Sequence, residues 1–354
     1  MSSIHTSKTL IFDGHNDVLS QLRDSGGVSQ CDAFRGNTDF HIDLIKAAEG
    51  GFGGGFFAMW VASPDNGVDY QSMMMQEQYN VPLPQPVAQR DALNVVLEQA
   101  AILMRLESLG AVNICTTTAA LRSCLGSGKL AAILHLEGCE AIDNDFHALD
   151  VLHAAGLRSL GPVWSRSTVF GEGVPFRYPS SPDIGTGLTE LGKELVRRCN
   201  RMGVMLDLSH LNAAGFHDVA ELSTAPLVAT HSNAHSLCAH ARNLTDEQLE
   251  IIRASGGMVG LNFASAFLRE DGRMITDVPV EQMLRHIDYL IDRLGEDGVG
   301  LGSDFDGAKV PDAIGSSAGL PCLIDAMRDH AYGEALINKL CHGNWFNVLD
   351  RTWI

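Results

Sequence analysis

Eight short apolar runs recur along the chain, each giving way to polar or Gly-rich residues and then to a segment of helical periodicity. They span 9–15, 53–61, 130–137, 157–164, 203–209, 226–231, 257–262 and 298–304. This alternation constrains the fold more than any other feature, because strands separated by helices pair in parallel and need both faces covered. In 188–202 the residues Leu188, Leu191, Leu195, Cys199 and Met202 recur every three or four positions, as one buried stripe does. Thr245 followed by Gln248 reads as a capping box that opens another helix. Gly156, Gly203, Gly256 and Gly295 stand just before strands, where a helix end commonly turns left-handed.

Eight such units predict an α/β protein closed into a (β/α)8 TIM barrel, although a doubly wound open sheet carries the same local pattern. The run at 157–164 is the weakest strand, since Pro162 has no N–H to give a ladder. The 354 residues exceed the roughly 250 of a bare barrel. No repeat or linker divides them, so a single domain over 1–354 is expected. The surplus falls mainly in two insertions: 62–90 after strand 2, carrying Met73, Met74 and Met75 and the prolines at 82, 84 and 86, and 165–186 after strand 4, rich in Gly and Pro. Both follow strands, which puts them at the face where barrels carry their chemistry.

A net charge of −18 repels phosphate backbones and anionic bilayers, so neither nucleic acid nor a membrane is an expected partner. No stretch approaches the ~20 apolar residues of a membrane span, and the N-terminal residues lack the apolar core of a secretory signal. Eight cysteines without a C-x-x-C pair fit free thiols in a reducing compartment. A cytoplasmic protein is expected.

Five of the runs end in ionisable residues: His15 and Asp17, Glu137, His210, His231, and Asp304. One histidine or aspartate at a strand end is ordinary, as a hydrogen-bonded structural group or a helix cap. In a barrel, however, all strand C-termini open on one mouth, and five such coincidences there point to a shared site. His15, Asp17, Glu137, His210 and His231 are ligand types for Zn2+ or a similar transition metal. Five exceed what one catalytic zinc takes, whereas a two-metal site with a bridging carboxylate and hydroxide uses them all. Such a cluster carries net positive charge, which an acidic protein needs to hold an anionic substrate.

The segments Asp-Gly-His-Asn-Asp at 13–17, Leu-Glu-Gly at 136–138, Asp-Leu-Ser-His at 207–210, His-Ser-Asn-Ala-His-Ser at 231–236, Arg-Asn at 242–243 and Gly-Ser-Asp-Phe-Asp-Gly at 302–307 resemble, in order, those of the renal (membrane) dipeptidases, peptidase family M19, among the amidohydrolase-like barrels. The resemblance implies that His15 and Asp17 bind one zinc, that His210 and His231 bind the other, and that Glu137 bridges. It further implies that a metal-bridging hydroxide attacks the peptide carbonyl, that Arg242 receives the terminal carboxylate, and that Asp304 meets the free amine or relays the proton. It extends to a dimer and to dipeptides with a D-residue at the C-terminal position. The same ligands accept Mn2+ or Co2+.

Trp164 stands where animal members carry a histidine that assists at the developing oxyanion; an indole donates one hydrogen bond but holds no charge. Arg166 or the metals then compensate, or the substrate is another amide, lactam or ester. Arg166 and Arg177 hint weakly at an acidic substrate side chain. A barrel that binds metal without turnover is the alternative of a different class, and Asp304 counts against it. His135 is expected to pack beneath the metals, His217, His235 and His240 to lie on loops or helix surfaces, and Met73–Met75 to serve equally as substrate wall or plain packing.

Overall fold

The computed structural model describes residues 8–36, 38–65 and 67–353. Each of the eight apolar runs contains a strand: β1 (Ile11–Asn16), β2 (Phe52–Trp60), β3 (Leu130–Glu137), β4 (Leu157–Gly161), β5 (Met205–Leu206), β6 (Val228–Ser232), β7 (Met258–Asn262) and β8 (Val299–Gly302). The first five form one parallel sheet in sequence order, and β6, β7 and β8 form another. Single parallel bridges link the two sheets at both edges, Asp207 with Val228 and Asn16 with Phe305. β4 stops at Gly161, one residue before the proline that cannot donate. A short strand not foreseen from the sequence, Val112–Ile114, pairs with the start of β3.

The helices between strands begin and end where the sequence chemistry places them. Thr189 caps Glu190–Met202, and Gly203 closes it in the left-handed conformation at φ 65°. The Thr245–Gln248 capping box is present with both of its bonds. A large apolar core separates these helices from the strands. A second cluster joins Phe12, Phe56, Ile133, Met205, Val228 and Met258 to Trp345 of the C-terminal helix Asn344–Thr352. The Trp345 indole N–H donates to the Leu301 carbonyl at 3.1 Å, and Gly14, Gly260 and Gly300 leave the ring its space: a Cβ at any of them would sit 2.5–2.9 Å from it.

The segments 62–90 and 165–186 are knitted together. Tyr79–Asn80 from the first pairs antiparallel with Arg177–Tyr178 from the second, and Val81 N–H donates to the Phe176 carbonyl at 2.9 Å. Met74, Tyr79 and Val81 pack with Ala264, Ala266 and Phe267, which follow β7, and with Phe176 and Tyr178. Among the described residues no helix is long and apolar enough to cross a membrane. The eight cysteines are unpaired, and seven of them are buried.

Candidate metal centre

Period-two geometry turns His15 inward at the end of β1, and Asp17 follows on the same side at the start of the helix Val18–Asp24. Glu137 ends β3, His210 follows β5, and His231 lies within β6. These five side chains, drawn from across the sequence, meet. Glu137 Oε1 lies 3.0 Å from His210 Nε2, 3.4 Å from His231 Nε2 and 3.7 Å from His15 Nε2. His15 Nε2 is 3.2 Å from Asp17 Oδ2, and the Nε2 atoms of His210 and His231 are 3.2 Å apart. Donor atoms of His15, Glu137 and His231 fall within 4.8 Å of one another, as do those of His15, Asp17 and Asp304.

Every one of the five residues is buried. Burial pushes Glu137 well above the ordinary carboxylate range; His15 pulls it back, while Asp17 and Asp304 push it further. Burial would depress His15, yet Glu137 and Asp17 outweigh it and raise the imidazole to about 10. Desolvation holds His210 and His231 well below the usual histidine range, neutral and so available as ligands. Imidazole lone pairs and crowded carboxylates facing one another are the donor set of a transition-metal site, and a cation among them would favour the ionised Glu137 and the neutral imidazoles.

The far ring nitrogens of His210 and His231 are held too. His210 Nδ1 lies 2.9 Å from Ser165 Oγ, and His231 Nδ1 lies 2.8 Å from Thr230 Oγ1. Below them, His135 is wholly buried with Nδ1 2.9 Å from Ser159 Oγ, the lower layer its position two residues before Glu137 predicts. Asp304 has a left-handed backbone at φ 59°, unusual for a residue with a Cβ. Its Oδ2 accepts from Asn262 Nδ2 at 2.9 Å. Burial raises its pKa, His15 opposes, and Asp17 adds to the rise. Gly307 must be glycine here, because a Cβ would stand 2.1 Å from Asp17 Oδ2 and 2.6 Å from Asp304 Oδ1.

The Arg242 guanidinium is buried beside the cluster. Its Nη1 donates to Ser232 Oγ and its Nη2 to the His231 carbonyl, both at 3.1 Å, while Nη2 also lies 3.2 Å from His210 Nε2. Among the described residues its Nε has no partner within hydrogen-bond distance. A cavity of about 830 Å3 opens onto Asp17, Glu137, His210 and Asp304, walled by Trp60, Trp164, Phe176, Phe267 and Met74. The Trp164 ring stands 5.9 Å from that of His210 and 5.2 Å from that of Trp60. Of the methionine run, Met74 faces this cavity and Met75 is exposed.

Three expectations are corrected. Arg166 neither lines the cavity nor has a donor group to spare: Nε bonds Glu140 Oε1 at 2.9 Å, Nη1 bonds Ser63 Oγ at 2.7 Å, and Nη2 bonds the Val61 carbonyl at 2.8 Å. A fully buried cation needs a fixed counter-charge, and Glu140 is it. Arg177 is exposed on the short strand pair it forms with Tyr79–Asn80, outside the cavity lining. His240 is fully buried, where its Nδ1 accepts from Arg242 N–H at 3.0 Å and its ring lies 4.5 Å from Phe267. The hydroxyls of Ser165 and Thr230, and Asn262 beneath Asp304, escaped sequence reasoning; Thr230 had a signal in its adjacency to His231, Ser165 and Asn262 none.

Comparison with known proteins agrees with this geometry. Residues 2–352 match the family described as membrane dipeptidase, peptidase family M19. A metallo peptidase from Rhodobacter sphaeroides, solved with a phosphinate mimic of the dipeptide L-Ala-D-Ala, is 53% identical with a TM-score of 0.95, covering 98% of this chain and 100% of that one. A second solved structure, described as a dipeptidase of family M19, is also 53% identical, at TM-score 0.94, with 98% and 99% covered. A Klebsiella pneumoniae protein described only as uncharacterized, from the pqqA 5′ region, is 46% identical over 265 residues, 74% of this chain and 98% of its own length. With the family match running nearly end to end, this chain belongs to peptidase family M19, the membrane dipeptidases.

Proposed function

We propose that this chain is a binuclear metal-dependent dipeptidase that cleaves the peptide bond of small dipeptides, including those with a D-residue at the C-terminal position. One observation carries the reading: three imidazole Nε2 atoms from three separate strand ends face a single oxygen of Glu137. The dipeptide mimic bound by the 53% identical Rhodobacter sphaeroides enzyme supports the substrate class. His15 and Asp17 on one side, His210 and His231 on the other and Glu137 between them would hold two Zn2+ ions, with Mn2+ or Co2+ as alternatives. When bound, such a pair supplies an activated water and a Lewis acid for the carbonyl oxygen.

The chain's own residues do the rest. Asp304, oriented by Asn262, carries the proton to the departing amine at its carboxyl group, and burial raises its pKa above the ordinary carboxylate range. Arg242 offers its Nε and Nη2 edge, a planar fork, to the substrate's terminal carboxylate. Trp60, Trp164, Phe176 and Phe267 wall the cavity and exclude water. The same reading takes the eight strands and their two seams as a closed (β/α)8 barrel in a single domain, with 62–90 and 165–186 as insertions over its mouth. The unpaired cysteines support a cytoplasmic location, and the family resemblance supports a homodimer.

A dipeptide panel run before and after chelation tests the proposal. Release of free amino acids from L-Ala-D-Ala, lost with chelator and restored by Zn2+, is the expected result. Activity confined to N-acyl amino acids or lactones would overturn it.

A further inference from the structure

Asp207 lies outside the proposed ligand set, yet its carboxylate is the most heavily bonded buried group near it. Oδ1 accepts from Ser209 N–H at 3.0 Å, Ser209 Oγ–H at 2.6 Å and Thr230 N–H at 2.9 Å. Oδ2 accepts from Thr230 Oγ1–H at 2.6 Å. Two routes lead from it to His231. Ser209 Oγ, having given its proton to Asp207, accepts the His231 backbone N–H at 3.1 Å. Thr230 Oγ1, having given its proton to the other oxygen, lies 2.8 Å from His231 Nδ1.

A hydroxyl has one hydrogen. Spent on the carboxylate, it leaves only a lone pair for the imidazole, so His231 Nδ1 must carry the proton and Nε2 must present its lone pair towards Glu137. We infer that Asp207, acting through the Thr230 hydroxyl, is a positioning residue that fixes the tautomer of His231 and thereby sets the affinity of one of the two metal positions. At His210 the Nδ1 partner is Ser165 Oγ, and among the described residues no carboxylate is bonded behind that hydroxyl. The Asp207 route therefore acts on the His231 side. This rests on the binuclear reading above.

The test is Asp207→Asn. An amide nitrogen in place of Oδ2 donates to Thr230 Oγ1, which frees the hydroxyl proton for His231 Nδ1 and moves the ring proton to Nε2. Metal-free protein is titrated with Zn2+ against a competing chelator, and equivalents per chain are counted. Wild type is expected to bind two; Asp207→Asn is expected to bind the metal of the His231 side roughly 10- to 100-fold more weakly, as loss of an outer-shell partner does. Thr230→Ser, which keeps the hydroxyl, retains wild-type affinity, while Thr230→Val loses it. The Thr230 pair decides the matter by itself should Asp207→Asn not fold. Two equivalents bound with unchanged affinity in both Asp207→Asn and Thr230→Val would overturn the relay and leave the binuclear reading intact. Wild type binding no metal would overturn both.

Discussion

Replacing Arg242 with methionine keeps the apolar stem and removes the guanidinium, and comparing a free-acid with an amidated substrate then separates carboxylate recognition from the loss of its structural bonds. Two of the guanidinium nitrogens already serve the fold, through Ser232 Oγ and the His231 carbonyl. What is left for a substrate is the unpartnered Nε and the second hydrogen of Nη2, which points at His210 Nε2 from 3.2 Å. That contact lapses once His210 directs its lone pair elsewhere, and Nε and Nη2 share one edge of the guanidinium, the spacing of two carboxylate oxygens. Two charge-assisted hydrogen bonds at the low end of their range are worth about 3 kcal/mol, which is roughly a 10²-fold loss. The expected result is that KM for L-Ala-D-Ala rises by roughly that factor with metal content unchanged. Hydrolysis of the same dipeptide with its C-terminus amidated, already poor, should barely change. An equal loss for the free acid and the amide would refute carboxylate recognition by Arg242 and leave only a packing role.

Glu137→Gln should lose metal and turnover together; because it also removes a desolvated carboxylate, the chelated variant should melt no lower than chelated wild type in a thermal scan. Asp304→Asn should keep its metal content while kcat falls by roughly 10²- to 10⁴-fold, the usual worth of a positioned acid–base group. The acidic limb of the kcat profile should disappear with it, since a carboxyl of raised pKa must be ionised to accept a proton. Stability without metal should depend on pH in a definite sense. Burial raises Asp13 and Asp306 to about 7, above the 3.8 of the unfolded chain, so the folded state takes up protons as pH falls from 8 to 7 and is stabilised. His15, raised to about 10, acts in the same direction over that interval. His210 and His231, held neutral by burial, act in the opposite direction but begin to do so only as pH nears 6.5, so chelated protein should melt higher at pH 7 than at pH 8, and a flat or reversed dependence would contradict these assignments.

The strands were legible because each apolar run is short and bounded by residues that stop a ladder, as Pro162 stops β4. Helix ends were legible for the same local reason, in the glycine after Met202 and the Thr245–Gln248 box. Val112–Ile114 was not, because three residues leave no period to detect. The convergence of His15, Asp17, Glu137, His210 and His231 could be read from strand-end positions, since parallel strands of one α/β unit open their C-terminal ends on the same face. Arg166 could not, because nothing local distinguishes an arginine reaching a cavity from one neutralising Glu140 across 26 residues of chain. The Asp207–Thr230–His231 relay was equally hidden, as it depends on the spacing between two neighbouring strands. Pairing of Tyr79–Asn80 with Arg177–Tyr178 is likewise a contact between segments about a hundred residues apart.

The most direct test of the central claim is a titration of metal-free protein with Zn2+ while D-alanine release from L-Ala-D-Ala is followed. Activity rising from zero and saturating as the second equivalent binds is the predicted result. Full turnover with no metal bound, or metal bound without any contribution from His15, Glu137 and His231, would contradict it.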